Sequence, residues 1–341
     1  MKSVSNQISD RMYWIDSIKL LAISWIFFTH FCVSARGSLE ITFDWGKYGS
    51  WLLYGITGKY AVAFFCVILG YFASKSKAQF SSDRVLNRYF QFCIPLLIVS
   101  SLQYLFFFIE HSVSLREIIL IPRMCFLFQS SKLCSPAWCM PFFFTASIII
   151  YLLNSKKHRI LIMSFLAVLF LATDLIWISI CLFGALIHYA AQLPFVIRAL
   201  EKLNKHMILF SAIKILLLVF SYLIIRFPEN NTTYILDGIS ASVVFIVCLN
   251  SEIIQKVLSL SSMFCKAGRY SFEIFLLHTF VYLATNQYLF SRISHSFHPT
   301  LVFWLAFVVA YIFTLICAYG LSKLINSKNV KRIYAYVKSE N

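Results

Sequence analysis

The most prominent pattern along the chain is a succession of long apolar segments separated by short stretches that hold most of the charged residues. A helix needs about 20 apolar residues to cross the hydrocarbon core of a bilayer, so each segment is a candidate span. On this criterion we predict ten membrane-spanning helices, several of them short, with cores at residues 14–35, 60–73, 89–109, 137–153, 160–173, 175–191, 207–225, 234–249, 270–290 and 301–324. At Asp174 two alternatives stay open, since one long bent helix could replace two spans.

Composition supports a membrane protein. Hydrophobic residues make up 60% of the 341 residues and charged residues 13%, whereas charged residues supply about 25% of a typical soluble domain. This balance excludes a soluble enzyme, and the 35 phenylalanines exclude a disordered chain, because disordered chains are poor in aromatic residues. We therefore expect an all-α polytopic membrane helical bundle of about ten transmembrane helices, with residues 1–341 forming a single transmembrane domain and no separate soluble domain.

The charge pattern predicts the orientation of the bundle. Lys and Arg number 30 against 14 Asp and Glu, and the loops on one side of a ten-span arrangement carry 20 of these cations while those on the other side carry 8. Lys and Arg accumulate in cytoplasmic loops, so both termini are predicted to be cytoplasmic. The same rule explains the net charge of +16 without a nucleic-acid partner, and we expect none.

The first predicted span carries three ionisable residues. Asp16, Lys19 and His30 fall on one face of a helix, with His30 about 16 Å beyond Lys19 along the axis. Charged groups at membrane depth are costly, so they are candidates for a functional site, and here they would form a polar track from the cytoplasmic side. The alternative is structural: Lys19 pairs with Asp16 at the interface, and a neighbouring helix satisfies His30.

The ninth predicted span supplies a second histidine. Ser271 and His278 share one helix face, while Glu273 points about 140° away from His278, so the glutamate and the histidine do not form a pair along one helix. A packing role for His278 is the alternative to a functional one.

One arginine and the cysteines complete the candidate chemistry. Arg88 is the last residue before an apolar span, a suitable place to hold a phosphate at the mouth of a cavity. The ten cysteines include no Cys-x-x-Cys pair, so we expect no metal site. Cys125, Cys134 and Cys139 are clustered, which leaves a disulfide as a minor alternative.

Three segments in order along the chain resemble the integral-membrane acyltransferase family 3, whose members O-acylate bacterial surface polysaccharides and related glycans. The family's opening I-D-x-L-R-x-x-A, followed by a histidine with ten residues between it and the arginine, resembles residues 15–22 and His30. Its F-F-x-L-S-G-Y resembles residues 64–71, and its S-Y-x-I-Y-L-x-H resembles residues 271–278. Weaker similarity occurs at residues 136–138 and 182–187. The opening Tyr-Trp-Ile-Asp is similar to the branch that O-acetylates enterobacterial common antigen.

This chain departs from the family pattern at two positions. The family's first arginine is Lys19 here, which keeps the charge and loses the planar bidentate fork. The family's R-x-x-R would fall on Arg88 and Gln91, with Arg84 as a possible substitute one turn upstream. Either the donor is held differently or this member is impaired.

The resemblance implies transfer of an acetyl or similar acyl group from cytoplasmic acetyl-CoA to a hydroxyl of a surface or lipid-linked glycan, in the bacterial inner membrane. It implies His30 as general base or acyl carrier, Lys19 and His278 as further catalytic residues, Arg88 and Arg84 as contacts to CoA, and Asp16 and Ser271 as orienting residues. The expected partners are acyl-CoA, the saccharide acceptor and membrane lipids. A glycan or small-anion transporter and a non-catalytic scaffold of a polysaccharide assembly complex are the alternatives.

Overall fold

The computed structural model describes residues 12–38, 58–76, 79–109, 114–129, 135–173, 175–205, 211–217, 231–290 and 299–327, and these residues form helices and turns without a strand. The helices are α1 (Tyr13–Ser38), α2 (Gly58–Lys75), α3 (Ser82–Ile109), α4 (Leu120–Phe126), α5 (Met140–Leu153), α6 (Arg159–Leu171), α7 (Ile176–Ala190), α8 (Pro194–Lys205), α9 (Asn231–Leu249), α10 (Glu252–Ser259), α11 (Ser262–Gly268), α12 (Ser271–Thr285) and α13 (Pro299–Ile325). Residues 211–217 are also helical.

Four helical stretches are long and apolar enough to cross a membrane: Tyr13–Cys32, Ser82–Ile109, Ala137–Asn154 and Leu301–Ile325. The bent pair α9 and α10 would make a fifth, and α2, α6, α7 and α12 contain shorter apolar stretches. The predicted all-α polytopic membrane bundle is therefore confirmed. Nine of the ten predicted cores coincide with these helices, whereas the core at 207–225 lies mostly outside the described residues. The count of ten crossings stays a prediction.

The boundary at Asp174 separates two helices. The Ser179 hydroxyl of α7 donates a hydrogen bond of 2.7 Å to the carbonyl oxygen of Ala167 in α6. Twelve residues of continuous helix would hold these groups about 18 Å apart, so the chain reverses direction between them. The alternative of one long bent helix is wrong.

Two glycines allow α2 and α7 to cross in backbone contact. A Cβ atom at Gly70 would lie 1.7 Å from the carbonyl oxygen of Cys181, and one at Gly184 would lie 2.1 Å from the carbonyl oxygen of Val67. No side chain fits in either place, so glycine is required at both positions because of the close approach. The family-like segments 64–71 and 182–187 therefore owe their glycines to packing.

Several predicted cytoplasmic loops meet at one end of the bundle. Asn154, after α5, donates its side-chain amide to the carbonyl oxygen of Ala73 near the end of α2, at 3.4 Å. Phe80 donates its backbone N–H to the Tyr151 carbonyl oxygen at 3.1 Å. A Cβ atom at Gly268 would lie 1.8 Å from the carbonyl oxygen of Asp16 in α1. We call this end the mouth end; its placement on the cytoplasmic side stays a prediction.

The clustered cysteines are not joined where the structure describes them. Cys125 and Cys139 are both buried and are not part of a disulfide, and Cys134 lies outside the described residues. A disulfide between Cys125 and Cys139 is therefore excluded.

Candidate active site

A cavity of about 600 Å³ opens among α1, α2, α3, α5 and α12 at the mouth end. Its inner wall is apolar, with Val62, Pro95, Phe143 and Phe275 among its residues. Polar and charged groups also line it: Lys19, Ser76, Arg88, Gln91, Tyr151, Arg269, Ser271 and Glu273. Pockets of this size with a few convergent polar groups are typical of small-molecule sites.

Arg88 has a guanidinium that is only partly satisfied by the protein. Its Nη1 donates to Oε1 of Gln91 at 3.2 Å, and its guanidinium carbon lies 4.8 Å from the centre of the Phe92 ring. Its Nε is buried and has no hydrogen-bond partner. Leaving a buried donor unpaired costs about 1–3 kcal/mol, more for a charged group, so an anion in the cavity would stabilise this arrangement.

Lys19 is held by an ion pair at the rim of the cavity. Its Nζ lies 3.2 Å from Oδ1 of Asp16, with 27% of the lysine side chain exposed and 6% of the aspartate side chain. The structural alternative is therefore correct about the pairing of Lys19 with Asp16. Because Lys19 also lines the cavity, its ammonium remains available to a bound anion.

Two further residues predicted from the sequence, Ser271 and Arg84, differ in their placement relative to the cavity. Ser271 is buried and lines the cavity at the start of α12. Arg84 is exposed, is not part of the cavity lining, and donates through Nη1 to the carbonyl oxygen of Gln79 at 2.7 Å. It lies about one helical turn nearer the start of α3 than Arg88.

The structure brings together the two histidines that the sequence places in separate spans. The ring centres of His30 and His278 are 5.2 Å apart, with the planes tilted by 55°. His278 is buried, with 2% of its surface exposed, whereas His30 is exposed. His30 therefore contacts a neighbouring helix, α12, through the His278 ring.

The hydrogen bonds of His278 leave it little freedom. Its Nδ1 lies 2.6 Å from the carbonyl oxygen of Phe275, which can only accept, so we assign the ring proton to Nδ1. In the neutral ring Nε2 is then an acceptor, and the Thr279 hydroxyl lies 3.3 Å from it. His30 has no hydrogen bond within the part of the chain that the structure describes. Within the described residues, His30 is therefore the ring of the pair whose nitrogens are not engaged in a hydrogen bond.

The cavity and the histidine pair are adjacent along α12. Phe275 lines the inner wall of the cavity, and its carbonyl oxygen binds His278 one turn further on. Neither histidine is part of the cavity lining. Along α1, Lys19 and His30 are separated by about 16 Å, so the lysine cannot contact the same atoms as His30. The predicted polar track therefore divides into a cationic mouth and a histidine site.

Sequence reasoning missed three residues that the structure places at these sites. Arg269 lines the cavity and directly precedes an apolar segment, the same signal that identifies Arg88. Glu273 lines the cavity although it points away from His278. Thr279 contacts the His278 ring, and no sequence pattern distinguishes it from other threonines in apolar helices.

Comparison with protein families decides the identity of this arrangement. The sequence model of the acyltransferase 3 family, described as an acyltransferase domain, matches residues 12–323. The chain belongs to the acyltransferase 3 family. No curated protein and no solved structure gives a significant match to it.

Family membership assigns the chain to membrane acyltransferases, which act on an acyl donor and an acceptor. The matched residues include every residue of the cavity lining except Ile325, both histidines and the α2–α7 crossing. Among the described residues of this acyltransferase 3 member, no group of three or more His, Cys, Asp and Glu residues could hold a metal ion.

Proposed function

We propose that this acyltransferase 3 member is a membrane O-acyltransferase that moves an acetyl or similar acyl group from cytoplasmic acyl-CoA to a hydroxyl of a surface or lipid-linked glycan. Residues 1–341 would act as one transmembrane domain in the bacterial inner membrane, with both termini cytoplasmic. The observation that carries the proposal is the position of the His30–His278 pair directly beyond the inner end of a cavity whose mouth holds three cations.

The mouth residues suit the phosphates of CoA. Lys19 of α1, Arg88 of α3 and Arg269, in the turn between α11 and α12, line one cavity, and Arg88 has an unpaired buried donor. Guanidinium and ammonium groups bind phosphate through short, charge-assisted hydrogen bonds. Arg84, one turn nearer the entrance, is the predicted contact for the outer phosphates.

The separation of the two sites suits the shape of the donor. In acyl-CoA a long flexible arm joins the diphosphate to the thioester. Phosphates at Lys19 and a thioester near His30 would use the roughly 16 Å between these residues along α1. We therefore place Lys19 in donor binding and not in contact with the reacting carbonyl group. Asp16 would orient Lys19 through their ion pair, and Ser271 would orient the donor inside the cavity.

The chemistry we propose at the histidine pair is general base catalysis. A nitrogen of His30 takes the proton of the acceptor hydroxyl, and the hydroxyl oxygen attacks the thioester carbonyl carbon. The tetrahedral intermediate then expels the CoA thiolate, which takes up the proton from His30. His278, with both nitrogens engaged, would position the His30 ring. The other role open to His30, transient acyl carrier, needs the same exposed nitrogen.

The direct test supplies labelled acetyl-CoA to the purified protein in lipid together with the extracted glycan, and follows the label by mass spectrometry of the glycan. The proposal predicts a mass increase of one acyl group per modified hydroxyl. Gly320→Ala, in which the added Cβ atom meets nothing within 4 Å, is a control for the effect of introducing a substitution and should give the same mass increase as the wild type. Loss of the thioester with label appearing only in water would indicate a hydrolase and contradict the proposal.

A further inference from the structure

The short helix α10 has three distinct faces. Ile254, Gln255 and Leu258 form the first, which packs against the protein, and all three are partly buried. The second carries Ile253 and Val257, which are 76% and 59% exposed. At 100° per residue these two faces are about 120° apart.

The third face of α10 is charged. Glu252 and Lys256 lie one turn apart, with the lysine Nζ 3.9 Å from the glutamate Oε2 and with 88% and 80% of their side chains exposed. This face lies about 100° from the exposed apolar face. A helix at a membrane surface beside a protein meets three surroundings, namely protein, acyl chains and water, and α10 has one face suited to each.

The direction of α10 agrees with its faces. It is bent by 90° from α9 across the break at Asn250 and Ser251, so when α9 runs across the bilayer α10 runs along its surface. Ile239 and Ile246, seven residues apart on one face of α9, are also exposed. Beyond α10 along the chain, Leu260 and Met263 are 81% and 75% exposed.

We propose that α10 and α11 form a bilayer-surface site, whose apolar side chains enter the acyl-chain boundary and whose lysines bind anionic phospholipid headgroups. Lys256 and Lys266 are exposed on the two helices beside the apolar surface, and together they outnumber the one exposed carboxylate of α10, Glu252. Amphipathic helices of this kind are bound by buried apolar area together with attraction between Lys or Arg and anionic lipid. This inference stands independently of the reaction proposed above.

The bilayer-surface site is attached to the cavity through α1. The Ser17 hydroxyl donates to the carbonyl oxygen of Leu258 at 2.6 Å and lies 3.2 Å from the Cys265 sulfur. Gly268, at the end of α11, packs against the backbone of Asp16, which pairs with Lys19. Binding of α10 and α11 to the bilayer surface would therefore hold the first turn of α1 in position at the rim of the cavity.

The test compares two single-tryptophan additions on this site. Leu260→Trp and Lys256→Trp change two strongly exposed positions that differ in the face they occupy. Each variant is reconstituted in vesicles of phosphatidylcholine and phosphatidylglycerol, with or without bromine on the acyl chains, and the wild-type fluorescence is subtracted. Because bromine quenches only tryptophan near the acyl chains, we expect quenching at position 260 to exceed that at position 256 by about twofold or more.

Each alternative occupant gives a different result. Equal quenching at the two positions, or emission of the Leu260→Trp variant typical of water, would overturn the proposal. A blue-shifted but unquenched Leu260→Trp signal would indicate a protein partner on this surface and would also overturn it. If Leu260→Trp fails to fold, Phe264→Trp tests the same surface, because Phe264 is aromatic and 49% exposed.

A second measurement tests the headgroup charge. Replacing phosphatidylcholine by phosphatidylglycerol in nanodiscs should raise the unfolding temperature of the wild type by about 2 °C or more, and Lys256→Gln/Lys266→Gln should lose most of that rise. Glu252→Gln is the matched control and should keep it. A wild type that is insensitive to the anionic lipid, or a double variant that keeps the full rise, would contradict binding of anionic headgroups.

Discussion

The crossing of α2 and α7 and the contact of α1 with α12 both consist of family-like segments. The first region is closely packed, whereas the second lies beside a cavity. At the crossing, Gly70 and Gly184 have no side chain, so the two helix backbones are in contact. Between α1 and α12, the side chains include two histidines 5.2 Å apart, with a cavity beginning one turn away. The first region holds the bundle together, and the second contains the groups that can bind and react.

This difference shows that a match to a family motif does not by itself identify the residues that bind or react with a substrate. The segments 64–71 and 182–187 resemble the family through glycines whose role is close packing, whereas residues 15–30 and 271–278 carry the ionisable groups. Variants in the first region should therefore change stability, and variants in the second should change the reaction. Four variants test this separation.

The largest effect is expected from His30. His30→Gln keeps a polar side chain and removes the ring nitrogens, so the rate of glycan acylation should fall by about 10²–10⁴-fold, the usual contribution of a general acid or base. Its unfolding temperature should stay near that of the wild type, because the His30 side chain is exposed. Initial rates in lipid and thermal unfolding of the same preparation provide the test. A normal rate would remove His30 from the chemistry.

The next largest effect is expected on stability at the helix crossing. Gly70→Ala places a methyl group 1.7 Å from a backbone carbonyl oxygen, which only a shift of α2 against α7 can relieve. Overpacking of this kind should lower the free energy of unfolding by about 3 kcal/mol or more. Thermal unfolding of Gly320→Ala beside it provides the control, since that position has open space and should change little. Equal stability of the two variants would show that the crossing is not close-packed.

A smaller effect is expected at the cavity mouth. Arg88→Ala removes a guanidinium that lines the cavity, so the apparent donor KM should rise about tenfold, equivalent to about 1.4 kcal/mol, with kcat little changed. Steady-state kinetics with acetyl-CoA as the varied substrate measure it. Arg84→Ala is the matched comparison and should raise KM less, because Arg84 lies outside the cavity. Gln91→Arg should lower KM, because it restores the second cation of the family pattern.

The smallest effect is expected from Thr279. Thr279→Val keeps the side-chain shape and removes the hydroxyl 3.3 Å from Nε2 of His278, a contact worth about 1 kcal/mol. We expect kcat to fall by about fivefold while the donor KM stays constant, since Thr279 is not part of the cavity lining. A change in KM alone would mean that the His278 ring acts on donor binding and not on the reaction.

The sequence predicted the all-α membrane bundle, the family and most of the helix positions, because apolar length and motif order are local signals. It also indicated Lys19, Arg88, Ser271 and both histidines as candidates. It could not show that His30 and His278 meet, since that contact depends on how α1 and α12 pack. Arg269 carries the same signal as Arg88, a cation directly before an apolar span, but the positive-inside rule also accounts for that signal, and only the packing of the helices places Arg269 in the cavity.

If the polar track divides into a cationic mouth that binds the donor and a histidine site that carries out the reaction, the two parts contribute differently to the affinity for acetyl-CoA. The dissociation constant of acetyl-CoA is determined for the wild type, Arg88→Ala and His30→Ala in the same lipid nanodiscs, without acceptor. We predict weakening of about tenfold for Arg88→Ala and less than about twofold for His30→Ala, because phosphate contacts carry binding and His30 acts on the reacting atoms. Unchanged binding by Arg88→Ala together with a large loss for His30→Ala would contradict the account.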